Sequence, residues 1–197
     1  AAVAFAAIAV LNGDTLLAIS ALSLGGACFG FLRYNWQPAS IYLGDAGSLF
    51  VGFFLACTAL ISSYTEQNVF AAGAPVLILI VPILDTTLVS MARIANGISP
   101  MNGSDDHFAI RLKAAGWSAG AVAAMAMGLT ALGGIAALGM ILSPGSVAAA
   151  ILISFGGLFL ALLLILYFVF PTPSSAAQAR DTSLTSGDLA IEPIKRL

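Results

Sequence analysis

The fold is decided by residues 119–170, which read AGAVAAMAMGLTALGGIAALGMIL, then SPGS, then VAAAILISFGGLFLALLLILYFVF. Neither long run carries a charged side chain, and a helix crosses the roughly 30 Å hydrocarbon core of a bilayer in about 20 residues. The Ser-Pro-Gly-Ser between the runs is typical of a tight turn between antiparallel neighbours. Because lipid cannot satisfy backbone polar groups, and because the runs are too uniform for alternating barrel strands, they are predicted to be two transmembrane helices.

The rest of the chain has the same apolar character. Of its 197 residues, 60% are hydrophobic and 8% are charged, whereas roughly 25% of a soluble domain is charged. Four further apolar runs lie upstream: Ala1–Leu11, Thr15–Leu32, Ala46–Ser62 and Ala74–Ala92. The sequence therefore predicts an all-α, polytopic transmembrane helix bundle of about six spans over residues 1–170, with Pro82 kinking the fourth span.

Charge and cysteine usage exclude several classes of protein. The formal net charge of −2 and the single histidine argue against a nucleic-acid partner, which would need a basic stripe. Cys28 and Cys57 lie inside apolar runs and are too few for a disulfide or zinc framework. The chain opens on an apolar run with no charged leader, so we expect it to be the C-terminal part of a larger protein rather than to begin with a signal peptide.

The seven basic residues predict the orientation in the membrane. They follow the second, fourth and sixth runs, so all of them lie on one side when the spans alternate. The positive-inside rule identifies this side as the cytoplasm. Loops 33–45 and 93–116 and the C-terminus are therefore predicted to be cytoplasmic, and the polar tail 171–197 is predicted to be disordered.

The first cytoplasmic loop ends in an aspartate between two glycines. Asp45 follows Gly44 and precedes Gly47, at the start of the third span. Its carboxylate could cap that helix by accepting from amides further along the first turn. Alternatively it could bind Mg²⁺, which typically takes one or two protein carboxylates together with substrate phosphates. The residues alone leave both interpretations open.

The second cytoplasmic loop carries cations at helical spacing. His107 and Arg111 are four apart and would share one face of a helix, with Arg93 and Lys113 nearby. A polyanion such as a phosphate would find paired donors there, although spacing alone favours ordinary loop charge. The pair Asp105-Asp106 could cap a helix, bind a metal ion or pair with the arginines.

Asp85 lies in the fourth span, just past Pro82. Its carboxylate could be satisfied by Thr86 or Thr87, or it could line a groove that opens to the cytoplasm. Ionisable residues within a span are costly and mark functional sites. A transporter with a site near Pro82 and Asp85 is therefore one alternative function, and a non-catalytic membrane scaffold is another.

Several of these motifs together resemble one enzyme family. Residues 43–53 read LGDAGSLFVGF and are preceded by GFLRYN at residues 30–35. This block resembles the polyprenyl-phosphate N-acetylhexosamine-1-phosphate transferases, which include the relatives of the phospho-MurNAc-pentapeptide transferases. The PILDT of residues 82–86 and the Asn-Gly-x-Ser-Pro of residues 96–100 fit the same family.

The resemblance implies an activity, a cofactor and partners. Members transfer a sugar-1-phosphate from a UDP-sugar to a polyprenyl phosphate at the cytoplasmic face of the bacterial inner membrane. They release UMP, use Mg²⁺ (or Mn²⁺) and start the synthesis of cell-envelope polysaccharides. A whole member has about ten to eleven spans, so this chain alone is expected to be inactive, and a homodimer is left open.

The resemblance also implies roles for individual residues. Asp45 matches the metal-binding aspartate and is the predicted catalytic residue. The predicted substrate-binding residues are His107, Arg111, Asp85, Asn35, Arg93 and Asp106. One departure is that the family's loop usually runs His-x-His-His-Arg, whereas residues 107–111 read His-Phe-Ala-Ile-Arg, which leaves the identity of the sugar nucleotide open.

Overall fold

We analysed a computed structural model that describes residues 1–36, 38–97, 99 and 107–170. Over these residues the chain forms eight α-helices and one short 3₁₀ helix, without a β-strand. The elements in chain order are α1 (Ala2–Leu11), α2 (Thr15–Asn35), α3 (Gly44–Ile61), the 3₁₀ helix (Val69–Gly73), α4 (Ala74–Ile78), α5 (Ile80–Ala95), α6 (Phe108–Ala114), α7 (Ala119–Leu142) and α8 (Gly145–Phe168). The predicted tail 171–197 lies outside the described residues.

The helices confirm the predicted all-α membrane architecture. Four of them, α2, α3, α7 and α8, are long and apolar enough to cross a bilayer, and α4 with α5 forms a fifth candidate span that is bent. With ten residues, α1 is shorter than a span. Large apolar side chains such as Phe53, Leu60 and Ile153 are mostly exposed, as expected where lipid rather than water is the solvent.

The fourth span is broken at Leu79, ahead of Pro82. The two helical segments on either side meet at 74°, and Leu79 leaves the helical region with φ −98° and ψ 21°. Pro82 has no backbone N–H, and its ring would clash with the carbonyl of Ile78, four residues earlier. The helix therefore ends at Ile78 and restarts as α5, where Pro82 occupies the first turn and no amide is needed. The predicted kink is present, displaced toward the N-terminus.

The chain divides into two compact units, the first made of Ala1–Ile83 and Ala119–Leu160. Its core contains Phe5, Ile8, Ala71, Ala74, Leu77, Ile78, Ala137, Met140, Ile141 and Ala148. Helix α7 approaches α4 so closely that a Cβ at Gly133 would collide with the carbonyl oxygen of Leu77. Small residues permit such close helix packing in membranes, so glycine is required at this position.

One polar side chain fixes the turn between α7 and α8 within this first unit. The Asn68 amide donates to the carbonyl oxygens of Met140 at 2.9 Å and of Ser143 at 3.0 Å. Its own oxygen accepts from the Ala71 amide at 2.9 Å. Asn68 therefore caps the 3₁₀ helix and satisfies the C-terminal carbonyls of α7 with a single side chain.

The second unit contains Leu84–Ser118 together with the chain from Ala161 onward. Its buried apolar side chains come from α5, α6 and the end of α8: Leu84, Leu88, Ala92, Leu112, Leu163 and Leu166. This unit holds most of the loop that the sequence predicts to bind substrate.

Candidate functional site

The entrance to α3 is shaped by its two glycines. Gly44 has φ +67°, a left-handed conformation that side chains with a Cβ rarely adopt. A Cβ on Gly47 would come within 2.6 Å of the Leu43 side chain. These two constraints explain why glycine stands on both sides of Asp45, and they turn the chain sharply into the helix.

Asp45 lies in the first turn of α3 and is exposed. The N-cap is Leu43, and no side chain caps the helix. The capping interpretation of Asp45 is therefore wrong, because the helix begins before it. Among the described residues no hydrogen bond or ion pair engages its carboxylate, and the positive end of the helix dipole favours an anion there.

The loop before α3 is closed by short-range hydrogen bonds. The Asn35 amide donates to the Ile41 carbonyl at 2.9 Å. Both the backbone amide and the hydroxyl of Ser40 donate to the Tyr34 carbonyl, at 2.9 and 3.1 Å. Asn35, a predicted substrate-binding residue, thus holds the loop that leads to Asp45.

Asp85 and His107 are brought together across the second cytoplasmic loop. His107 Nδ1 lies 2.7 Å from Asp85 Oδ2, and the Phe108 amide donates to Asp85 Oδ1 at 2.9 Å. The imidazole is 49% exposed and the Asp85 side chain 23% exposed. The carboxylate of α5 therefore binds both the ring before α6 and the first amide of α6.

Arg111 and Arg93 are buried rather than presented to solvent. Arg111, 2% exposed, donates through Nη1 to the carbonyl oxygens of Leu166 at 3.3 Å and Phe170 at 3.1 Å. These carbonyls lie at the C-terminal end of α8, where a cation is favourable. Arg93, 7% exposed, donates to the Ser99 carbonyl at 3.0 Å. Both arginines fasten backbone ends in this conformation.

The predicted site residues thus separate into two groups. Asp45 and Asn35 share the loop and helix start in the first unit, whereas Asp85, His107, Arg93 and Arg111 all lie in the second unit. Asp106 falls outside the described residues. The substrate-binding roles of all these residues stay predictions.

The described residues were also tested for their fit to a divalent cation. In this part of the chain, no group of three His, Cys, Asp or Glu side chains converges on a point. Mg²⁺, however, commonly takes one or two protein carboxylates and completes its shell with substrate phosphates and water. The exposed carboxylate of Asp45 fits as one such ligand.

Sequence reasoning missed the contacts that organise the loops. The Phe108 amide and the carbonyls of Tyr34 and Ile41 are backbone groups, so residue identity does not reveal them. Asp85 and His107 are 22 positions apart, and no local spacing predicts their contact. A short helix after the loop, α6, was the one available signal.

These features define a multi-pass, all-α membrane protein with polar residues gathered where helices begin and end. The family model described as Glycosyl transferase family 4 matches residues 1–63. This match includes the Asp45 block and confirms the resemblance found in the sequence.

Curated relatives agree with that match. The chain is 39% identical over 57% of its length to the "Probable undecaprenyl-phosphate N-acetylglucosaminyl 1-phosphate transferase" of Bacillus subtilis, covering 32% of that protein. It is 34% identical over 54% of its length to the decaprenyl-phosphate N-acetylglucosaminephosphotransferase of Mycolicibacterium smegmatis, covering 30%. It is 37% identical over 52% of its length to the phospho-N-acetylmuramoyl-pentapeptide-transferase of Cutibacterium acnes, covering 27%.

The matches therefore extend over about a third or less of each relative's length. No solved structure matches the chain.

Proposed function

We propose that the protein containing this chain transfers a sugar-1-phosphate, most simply N-acetylhexosamine-1-phosphate, from a UDP-sugar to a polyprenyl phosphate. The observation that carries the proposal is the exposed Asp45 carboxylate at the start of α3, inside the segment that matches the glycosyl transferase family. The relatives' names support the same activity. The distribution of basic residues supports placing the reaction at the cytoplasmic face of a bacterial inner membrane.

The reaction exchanges one phosphate ester linkage for another. An oxygen of the polyprenyl phosphate attacks the phosphorus that bears the sugar, and the bond from that phosphorus to the bridging oxygen breaks. UMP leaves with the bridging oxygen, and the product is a polyprenyl diphosphate sugar. Both reactants are anionic, so positive charge must be supplied where they meet.

The chain's own residues account for part of this requirement. Asp45 would hold Mg²⁺, which supplies charge neutralisation of the phosphates when bound. His107, half exposed beside Asp85, is available to a phosphate oxygen. The apolar helices keep the prenyl chain in lipid, so only its phosphate needs to reach the polar face.

The alternatives lose the features on which they depended. A transporter site was suggested by Asp85 next to Pro82, but the Asp85 carboxylate is engaged by His107 and the Phe108 amide. A scaffold interpretation required Asp45 to serve only as a helix cap, and α3 has no side-chain cap.

The proposal is tested by product analysis in membranes containing the natural protein. UDP-N-acetylglucosamine and undecaprenyl phosphate are supplied together and separately, with Mg²⁺ or with a chelator. We expect UMP and a lipid-linked sugar phosphate only when both substrates and the metal are present. Release of UMP without the lipid, or no UMP under any condition with UDP-hexosamines, would contradict the proposal.

A further inference from the structure

The second unit contains a carboxylate that faces a ring nitrogen instead of solvent. Asp85 Oδ2 lies 2.7 Å from His107 Nδ1, while its other oxygen, Oδ1, accepts from the Phe108 amide at 2.9 Å. Both oxygens are therefore used, and the Asp85 side chain is only 23% exposed. This geometry leaves the carboxylate poorly placed to contact a substrate itself.

The same geometry fixes the orientation of the imidazole. A carboxylate that accepts at Nδ1 favours a proton on that nitrogen, which leaves Nε2 as the nitrogen available to a ligand. Such partners hold functional histidines in one tautomer and one ring orientation. The imidazole is 49% exposed, so its outer edge can be reached.

The second oxygen of Asp85 fixes the backbone that carries this histidine. The N-cap of α6 is His107, whose own side chain makes no capping bond. The first amide of the helix is satisfied instead by Asp85, from a different helix. One side chain on α5 therefore sets both the ring of His107 and the start of α6.

We propose that Asp85 is a positioning residue that acts through His107, holding Nδ1 so that Nε2 faces the diphosphate of a nucleoside diphosphate sugar. This inference rests on the proposed function, and it changes the role predicted for Asp85 from contact with the substrate to orientation of another residue. It also accounts for a carboxylate within the bent span without a transport pathway.

The substitution Asp85→Asn separates the two tasks of the carboxylate. The asparagine oxygen can still accept from the Phe108 amide, so α6 keeps its cap. Its NH₂ group would then face His107 Nδ1 and donate, which favours the opposite tautomer of the neutral ring. The matched control is Asp14→Asn, because Asp14 also caps a helix, accepting from the Leu17 amide at 3.0 Å, but has no histidine partner.

The first arm of the test reads the ring directly. The 197-residue chain has a single histidine, so ¹⁵N-histidine labelling reports His107 without assignment. We expect a protonated Nδ1 in the unsubstituted chain and in Asp14→Asn, and loss of that proton from the neutral ring in Asp85→Asn. An unchanged tautomer in Asp85→Asn, or an equal change in Asp14→Asn, would overturn the proposal.

The second arm measures UMP release by the natural protein in a double-mutant cycle. Loss of an orienting partner typically costs about 10- to 100-fold, and we expect Asp85→Asn to fall in this range. If Asp85 acts through His107, the double variant with His107→Gln is no slower than His107→Gln alone. Multiplying losses would overturn the proposal, because Asp85 would then act independently.

The two arms distinguish failure of the inference from failure of the proposed function. If the unsubstituted protein releases no UMP, the transferase assignment is wrong, while the ¹⁵N measurement still decides whether Asp85 sets the ring. If turnover is present and the tautomer does not depend on Asp85, the function stands and the positioning role is wrong.

Discussion

Asp45 and Asp85, the two acidic residues of the predicted site in the described part of the chain, have opposite surroundings. Asp45 lies in the first turn of α3, exposed, with no recorded hydrogen bond to its carboxylate. Asp85 lies in α5 with both carboxylate oxygens engaged, by His107 and by the Phe108 amide. An open carboxylate can accept a cation from solution, whereas an engaged one organises its neighbours. The comparison therefore divides ligand binding from positioning.

The largest effect is expected at the open carboxylate. Asp45→Asn removes a charge from a group that makes no structural contact among the described residues, so folding should be retained. Loss of one electrostatic contact to a reacting phosphate costs about 100-fold or more, and we expect UMP release to fall by at least this factor. The rate is measured in membranes of the natural protein, with thermal unfolding in parallel.

The matched control for this variant is Glu66→Gln. Glu66 is also exposed, and it follows the other end of α3, about 27 Å along the helix axis. We expect Glu66→Gln to keep full turnover. Equal losses in the two variants would mean that the charge, rather than the position of Asp45, matters.

The next largest effect is expected at the engaged carboxylate and should appear as local opening. Asp85→Ala removes a helix cap and a charge-assisted hydrogen bond, together worth about 2 kcal/mol. Amide hydrogen exchange in α6 should accelerate roughly thirtyfold, while Asp45→Ala leaves it unchanged. Identical exchange in both variants would contradict the difference between the two carboxylates.

The smallest of the three effects is expected at the glycine that leads into α3. Gly44→Ala places a Cβ at φ +67°, which costs about 1–2 kcal/mol. Gly26→Ala in α2 is the control, because a Cβ there meets no atom within 4 Å and alanine is the better helix former. We expect a lower unfolding midpoint for Gly44→Ala and an equal or higher one for Gly26→Ala. The reverse order would show that the turn at Gly44 is relaxed.

Much of the fold follows from the sequence because the bilayer constrains it strongly. The uncharged runs at residues 119–142 and 147–170 appear as α7 and α8, each within two residues of the predicted bounds. The break at Leu79 was harder to place, because proline acts on the turn before it. Spacing reveals helical periodicity, but it does not reveal which residue of a turn yields.

The site was predictable in its residue types and not in its contacts. Asp45 stood out through its flanking glycines, which the structure explains by the φ of Gly44 and the crowding at Gly47. The burial of Arg111 against the end of α8 could not be read from its spacing to His107, since it depends on carbonyls contributed by residues 166 and 170. Contacts between side chains and distant backbone groups leave no signal in a single sequence.

The most direct test of the central claim, that Asp45 is open to a divalent ion and Asp85 is not, is Mn²⁺ binding measured by electron paramagnetic resonance in the presence of UDP. Removal of one charged ligand is worth about 1.5–3 kcal/mol, or at least about tenfold in affinity. The account predicts that Asp45→Asn weakens Mn²⁺ binding by this factor while Asp85→Asn binds as the unsubstituted protein does. Undiminished binding in Asp45→Asn, or a matching loss in Asp85→Asn, would contradict it.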